Sequence, residues 1–346
     1  MKNDKLEALI ANVPFVIAEV GNNHLGDPEL AHRTLDAAAD AGVDAVKFQL
    51  FDPDELVAST EPVLSHVPDN RFATQRERFR HMVLGREHFI ALVEHARMRN
   101  VMFLCTPFDR ESADFLAPLV PAFKIASGDA SNFQLLDHVA SMGKPMFVST
   151  GCCTQDEVDW LVGRMPKDRL VIFHCVGSYP TPDAEASMSM IPYYASRYGV
   201  PVGYSDHTKD QLAPLLAVAL GVVAIEKHFI LDRSIPGGDR ALSLTGPEMA
   251  NLVSELRRAR LMLGESSQRT ILACERYGRE KLRRSPYARH AVKAGEHMQM
   301  QDVILLRPEI AGAYSLADLS RHSAVQALRD IGAETPLTPD NSILLA

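Results

Sequence analysis

Eight times over roughly 250 residues, a short run of Val, Ile, Phe and Ala gives way to a polar cluster and then to a segment with helical spacing. The runs fall at 15–20, 44–50, 101–105, 122–125, 145–148, 170–173, 201–203 and 222–225. They are continuous rather than alternating, as strands buried on both faces are. Between them, Asp27 caps a helix with Pro28 at its first position and a stop at Gly42. Further helices are predicted near 86–99, 110–117, 133–142, 155–165, 188–198 and 245–263. This count and length predict an α/β fold of the (β/α)₈ TIM-barrel type. An open doubly wound sheet fits less well. No Gly-x-Gly-x-x-Gly follows the first run, and unusual polar residues recur at every strand end rather than at one switch point.

The barrel accounts for 1–264 of the 346 residues. The charged, glycine-broken stretch 265–285 reads as a linker, helical in part, and 286–346 as a second domain small enough to be marginal alone. Within the barrel, 52–80 is a long polar insertion of the kind that often forms a lid. A net charge of −8 argues against a nucleic-acid or anionic-membrane surface. The N-terminus lacks an apolar signal-peptide core, and no apolar run approaches the roughly 20 residues that span a bilayer. Five cysteines, odd in number and without a CxxC pair, fit free thiols in a reducing cytoplasm.

In a barrel of this kind the C-terminal strand ends converge on one site. Here they deliver Glu19, Lys47, Thr106, Lys124, Ser127, Ser149, Tyr179, Ser205, His207, Glu226 and His228. Lysine is among the residues least often buried, so Lys47 and Lys124, each inside an apolar run, need anionic partners. With the hydroxyls of Thr106, Ser127, Ser149 and Ser205 they form a candidate phosphate or carboxylate cradle, unless each pairs with Glu19 or Glu226 instead. His207 and His228, at matching strand ends with no thiolate nearby, suit a divalent cation that keeps open positions. Glu19 is the candidate general base. Glu226, two residues before His228, faces the same side as either a substrate contact or a supporting group. Asn23 and His24 stand on the first loop, where they either contact substrate or cap the next helix.

These residues sit in AEVGNNHLGD, DAVKFQ, FLCTPFD, AFKIASGD, FVSTG, HCVGSYPTP, VGYSDHT and IEKHF, in that order. The series resembles the sialic acid (N-acetylneuraminate) synthase family, which includes spore coat polysaccharide synthases and the legionaminate and pseudaminate synthases. The resemblance implies a C-terminal antifreeze-like (SAF-type) domain. It implies condensation of phosphoenolpyruvate with an open-chain aldose, such as an N-acyl hexosamine, to a sialic-acid-like 2-keto acid and phosphate, in surface polysaccharide biosynthesis. His207 and His228 would hold the metal, Mn²⁺ first, with Mg²⁺ or Co²⁺ as alternatives. Lys47, Thr106, Lys124, Ser127, Ser149 and Ser205 would bind phosphoenolpyruvate, with Glu19, Lys47 and Lys124 as the catalytic set. Tyr179, Glu226 and Asp239 would contact the sugar, and Arg307 would reach the site of a partner subunit in a domain-swapped homodimer.

The chain departs from the family pattern on the sugar side. Asp129 replaces a Glu, Val176 and Gly177 replace polar residues, Pro236-Gly237-Gly238-Asp239-Arg240 replaces PGPDH, and LRPEIAG replaces KRPGxG. The expectation is therefore retained chemistry with a different acceptor. The alternatives are a synthase of the octulosonate-phosphate or heptulosonate-phosphate type, or a non-catalytic sugar-binding homologue.

Overall fold

The computed structural model describes residues 4–63, 71–236, 239–264 and 268–346, in two compact units divided at Gly264/Glu265. In the first unit, eight strands close into a barrel in sequence order, every neighbouring pair parallel. They are β1 (Phe15–Gly21), β2 (Ala45–Leu50), β3 (Met102–Pro107), β4 (Phe123–Ile125), β5 (Met146–Ser149), β6 (Leu170–His174), β7 (Val202–Asp206) and β8 (Ala224–His228). The helices are α1 (Asp4–Leu9), α2 (Pro28–Asp40), α3 (Pro53–Leu56), α4 (Gln75–Arg80), α5 (Arg86–Met98), α6 (Arg110–Leu116), α7 (Phe133–Ser141), α8 (Gln155–Arg164), α9 (Met190–Tyr198), α10 (Leu212–Ala219) and α11 (Gly246–Leu263). Asp27 caps α2, accepting from the backbone N–H groups of Glu29 and Leu30.

Strand alternation divides the apolar residues into two layers. One set, including Val16, Val46, Ile172 and Ile225, packs under the helices. The other, Phe15, Ile17, Leu104, Phe147, Val171 and Phe173, packs together with Leu6, Leu9 and Ile10 from α1 and the residue after it. The periodicity does not predict α1. Gly203 leaves room for this plug, since a Cβ there would lie 2.7 Å from the Phe173 ring.

Two expectations change in detail. β7 and β8 run through Asp206 and His228, so Ser205, Asp206, Glu226, Lys227 and His228 lie within the strands, and His207 follows β7 directly. The insertion 52–80 is not a plain loop: it carries α3 and α4, with 64–70 outside the described residues. The helical part of the linker stretch is α12 (Arg276–Leu282), within the second unit. There the Glu309 N–H donates to the Glu280 carbonyl at 3.2 Å, and Arg279 and Arg283 each lie 3.4 Å from the Glu309 carboxylate.

The second unit continues through β9 (Ser285–Ala288), β10 (His297–Gln299), β11 (Val303–Leu306), α13 (Leu316–Leu319), β12 (Ala324–Ala327) and β13 (Ser342–Leu345). β10, β12 and β13 form one antiparallel sheet, and β9 and β11 another. Its core gathers Ala288, Val292, Met298, Val303, Leu319, Val325, Ala327, Ile331 and Leu337. Among the described residues, no helix is long and apolar enough to cross a membrane.

Candidate active site

The C-terminal strand ends open on a cavity of about 420 Å³, within the range of ligand pockets. Twelve of the thirteen candidate residues line it: Glu19, Lys47, Thr106, Lys124, Ser127, Ser149, Tyr179, Ser205, His207, Glu226, His228 and Asp239. The thirteenth, Arg307, belongs to the second unit, one residue beyond β11.

Both lysines have carboxylate partners, so the cradle and the internal ion pairs coexist. Lys47 Nζ lies 2.6 Å from Glu19 Oε2 and 3.7 Å from Glu226 Oε2, and donates to Thr106 Oγ1 at 3.2 Å. Lys124 Nζ donates to Ser149 Oγ at 2.6 Å and lies 3.5 Å from Glu226 Oε1. Ser205 Oγ donates to Glu226 Oε1 at 3.0 Å, and Gln49 Nε2 to Glu19 Oε1 at 2.7 Å.

These near-symmetric pairs titrate differently. Burial, reinforced by the Glu226 charge, lifts the Glu19 carboxyl above its ordinary range despite Lys47. Burial acts on Glu226 as well, but Lys124 and Lys47 together hold its carboxyl well below that range. Burial lowers Lys124, whereas the two carboxylates keep Lys47 raised against the same cost. Glu19 is thus the carboxylate closest to exchanging a proton, and Glu226 the fixed charge.

His207 and His228 come together with ring centroids 5.4 Å apart, and the Tyr179 ring lies 4.1 Å from the first and 5.9 Å from the second. Burial holds both imidazoles neutral. It takes His207, with the His228 ring adding to the effect, down to about 4, and it lowers His228 against the pull of Asp239. His207 Nδ1 donates to the Val176 carbonyl at 2.7 Å, which leaves the Nε2 lone pair available. His228 Nδ1 is buried without a hydrogen bond, 3.6 Å from Asp239 Oδ2. Neutral imidazoles with a fixed tautomer are the form that ligates a divalent cation, so the donor chemistry fits one. Among the described residues no third His, Cys, Asp or Glu completes a cluster, so further coordination positions would fall to water or substrate oxygens.

Residues of the same two motifs that face away from the cavity set this geometry. Asp206 pairs in register with Lys227 across β7 and β8, and both are fully buried with Nζ and Oδ2 2.6 Å apart. Asp206 Oδ1 also accepts from the Thr208 N–H, the Thr208 hydroxyl and the Tyr204 hydroxyl. The pair locks the strands whose inward residues are Ser205, His207, Glu226 and His228.

Several lining residues escape sequence reasoning. Gln49 follows Lys47 by two, so strand periodicity could have found it. Gln75, Arg78, Phe79 and Met82 come from the polar insertion, where no motif marks them. Asn23 lines the cavity while its amide donates to the Phe229 carbonyl at 2.9 Å and to Ser243 Oγ at 3.1 Å. His24 is buried beside Phe48 and its Nδ1 accepts from the Gly26 N–H at 3.0 Å. Asp129, the shortened side chain, accepts from Asn132 Nδ2 at 3.0 Å. Gly177 lines the cavity with no side chain, and a Cβ there would lie 2.2 Å from Cys152 Sγ. Gly237 and Gly238 lie outside the described residues.

A closed parallel barrel with lysines, carboxylates and imidazoles gathered at its C-terminal mouth defines an enzyme of the TIM-barrel class. Residues 34–268 match the NeuB family model, and the chain belongs to the NeuB family. It is 38% identical over 304 residues to the N,N'-diacetyllegionaminic acid synthase of Legionella pneumophila, with 85% of each chain covered. The crystal structure of N-acetylneuraminic acid (sialic acid) synthetase from Leptospira borgpetersenii superposes with a TM-score of 0.69 at 36% identity, covering 77% of this chain and 90% of that one. The spore coat polysaccharide biosynthesis protein SpsE of Bacillus subtilis superposes with a TM-score of 0.63 at 30% identity, covering 97% of this chain and 99% of that one.

Proposed function

We propose that this chain condenses phosphoenolpyruvate with an open-chain, N-acylated aldose to give a sialic-acid-like 2-keto acid and inorganic phosphate. One observation carries the reading: two buried lysines, each beside a hydroxyl, open on the same cavity as a neutral imidazole pair. Lys47 with Thr106, Lys124 with Ser149, and Ser127 and Ser205 would bind the phosphate and carboxylate of phosphoenolpyruvate. His207 and His228 would hold a divalent metal, Mn²⁺ in this reading, whose chemistry when bound is polarisation of the acceptor aldehyde. C3 of phosphoenolpyruvate forms the new bond to the aldehyde carbon. Water then adds at C2, and phosphate leaves by C–O cleavage.

Glu19 is the group to take the proton from that water. Burial keeps its carboxyl above the ordinary range, and Gln49 and Lys47 fix its two oxygens. Tyr179, Glu226 and Asp239 are assigned to the sugar. An antifreeze-like second domain and a homodimer in which Arg307 serves a partner's sugar site belong to the same proposal, and light scattering of the intact protein tests the dimer.

The deciding experiment is phosphate release from phosphoenolpyruvate with Mn²⁺ and a panel of mannosamine-, altrosamine- and mannose-type aldoses. Turnover that depends on both acceptor and metal is expected. Absence of phosphate release with every acceptor, together with no binding of phosphoenolpyruvate, would reject the reading.

A further inference from the structure

The loop after β1 carries an amide to which the condensation as described gives no role. Asn22 lines the cavity, and its Nδ2 donates to Gln49 Oε1 at 3.2 Å. Gln49 Nε2 in turn donates to Glu19 Oε1 at 2.7 Å, while Lys47 Nζ lies 2.6 Å from the other oxygen of that carboxylate. The two amides form a relay that ends on the group assigned as base. Gly21 makes room for it. Its φ is +53°, β1 shifts register between Glu19 and Gly21, and a Cβ there would lie 3.1 Å from Glu19 Oε1 and 3.3 Å from Gln49 Nε2.

The carboxylate end fixes the direction of this relay. Glu19, beside Lys47, accepts, so Gln49 turns its N–H groups toward Glu19 and its carbonyl toward Asn22. Asn22 then turns its own N–H groups toward Gln49. Asn22 Oδ1 is left over, and that atom is buried with no hydrogen-bond partner. An acceptor so placed costs free energy until a ligand donates to it. Phosphoenolpyruvate bound as its anion has no donor to offer, since its oxygens accept and its methylene is apolar. The hydroxyls and amide N–H of an aldose do. The loop after β6 brings no side-chain acceptor to the same cavity at Gly177, and the Val176 carbonyl is engaged by His207.

We propose that Asn22 is a specificity-determining residue for the acceptor sugar: its Oδ1 accepts from one hydroxyl or N–H of that molecule, while its amide, through Gln49, aims Glu19. Sugar and base are then joined by one directional chain of hydrogen bonds, each polarising the next. A sugar lacking the matching donor strands a buried carbonyl. This inference rests on the condensation proposed above and assigns a contact to its second substrate.

The test pairs changes in the sugar with changes in the protein. The most active of N-acetylmannosamine, N-acetylaltrosamine and mannose is compared with analogues in which one hydroxyl, or the acylamino group, is replaced by hydrogen. In the wild type one analogue is expected to lose roughly ten- to a hundredfold in kcat/KM, the range for stranding a buried acceptor. Asn22→Leu should lose discrimination against that analogue alone, while the KM for phosphoenolpyruvate moves less than about twofold. Asn22→Asp keeps an acceptor oxygen but has no donor for Gln49, so kcat should fall while the acceptor KM stays within about threefold of the parent. Discrimination that survives in Asn22→Leu against every analogue overturns the inference, as does a loss that falls on phosphoenolpyruvate instead. An acceptor KM that rises as far in Asn22→Asp as in Asn22→Leu overturns the relay. If Asn22→Leu does not fold, Asn22→Ala removes the same polar atoms without added bulk and makes the same comparison. Should no acceptor release phosphate, the condensation fails on its own, and isothermal titration of the three sugars decides here. Binding that is weaker in Asn22→Leu than in the wild type supports the contact, and equal binding, or none, rejects it.

Discussion

At the scale of single residues, burial determines what each titratable side chain does. In SDHT and EKHF, alternate residues face the cavity and the helix layer. His207, Glu226 and His228 face inward, while Asp206 and Lys227 close a buried ion pair behind them. A pair so placed contributes little net stability against its desolvation cost, but it fixes register, and register aims the two imidazoles. His24 shows the same dependence on burial, which prevails over the opposing pull of the Asp27 carboxylate. Its ring is 1% exposed and burial lowers its pKa to about 4, against 6.5 in the unfolded chain. The native state therefore excludes a proton that the unfolded chain takes up. The contribution of His24 is fully present above about pH 6.5 and declines as pH falls toward 4, where about 3 kcal/mol has gone. His24→Asn keeps an acceptor for the Gly26 N–H but has no proton to gain. Urea unfolding from pH 7 to pH 4.5 should show a flatter stability profile for this variant than for the parent. Parallel profiles would show that His24 is not the group responsible.

At the scale of elements, α4 is the part of the site with the least warning in the sequence. The barrel strands announce themselves because both their faces are apolar. The strand-end residues stand out because lysine, histidine and glutamate are unusual inside such runs. Gln75 and Arg78 stand in a polar stretch where nothing sets them apart, and only docking against the barrel turns one face of a short helix inward. α1 escaped for a related reason: at six residues it is too short for periodicity to show. The ends of β7 and β8 were read short because polar residues in a strand look like its termination until a buried partner is found for them.

The docking of α4 has one identifiable hinge of close contact, Gly26. Its φ is +79°, and a Cβ there would lie 2.3 Å from the His81 carbonyl oxygen, the residue that ends the helix. Gly26→Ala combines left-handed strain of about 1–2 kcal/mol with a clash against backbone that cannot rotate away. The segment carrying Arg78 and Met82 should shift outward while the strands stay closed. The expected result is a larger rise in the acceptor KM than in the phosphoenolpyruvate KM, with stability lowered by about 1–3 kcal/mol. Equal rises in both KM values would mean that the whole mouth is disturbed and α4 is not an independent wall.

At the scale of the molecule, the two units have separate cores: the apolar layers of the barrel lie within Leu6–Leu256, and those of the second unit begin at Ala288. All cavity residues belong to the first unit, and Arg307 alone among the candidates belongs to the second. The barrel has the burial needed to fold by itself, whereas a unit whose core is nine residues is marginal. A chain ended after Gly264 should therefore unfold in one cooperative step near the temperature of the barrel transition in the intact protein. It should bind phosphoenolpyruvate with an affinity within a few fold of the parent, since Lys47, Lys124 and their hydroxyl partners are all retained. Turnover with the acceptor should fall, and the fall should match that of Arg307→Ala in the intact protein if Arg307 is what the second unit contributes to the reaction. A deeper loss in the shortened chain, with phosphoenolpyruvate binding still intact, would assign the second unit a role beyond that one side chain. Loss of phosphoenolpyruvate binding would show instead that the barrel mouth does not hold its shape alone. Calorimetry, isothermal titration and acceptor kinetics on the three proteins separate these outcomes.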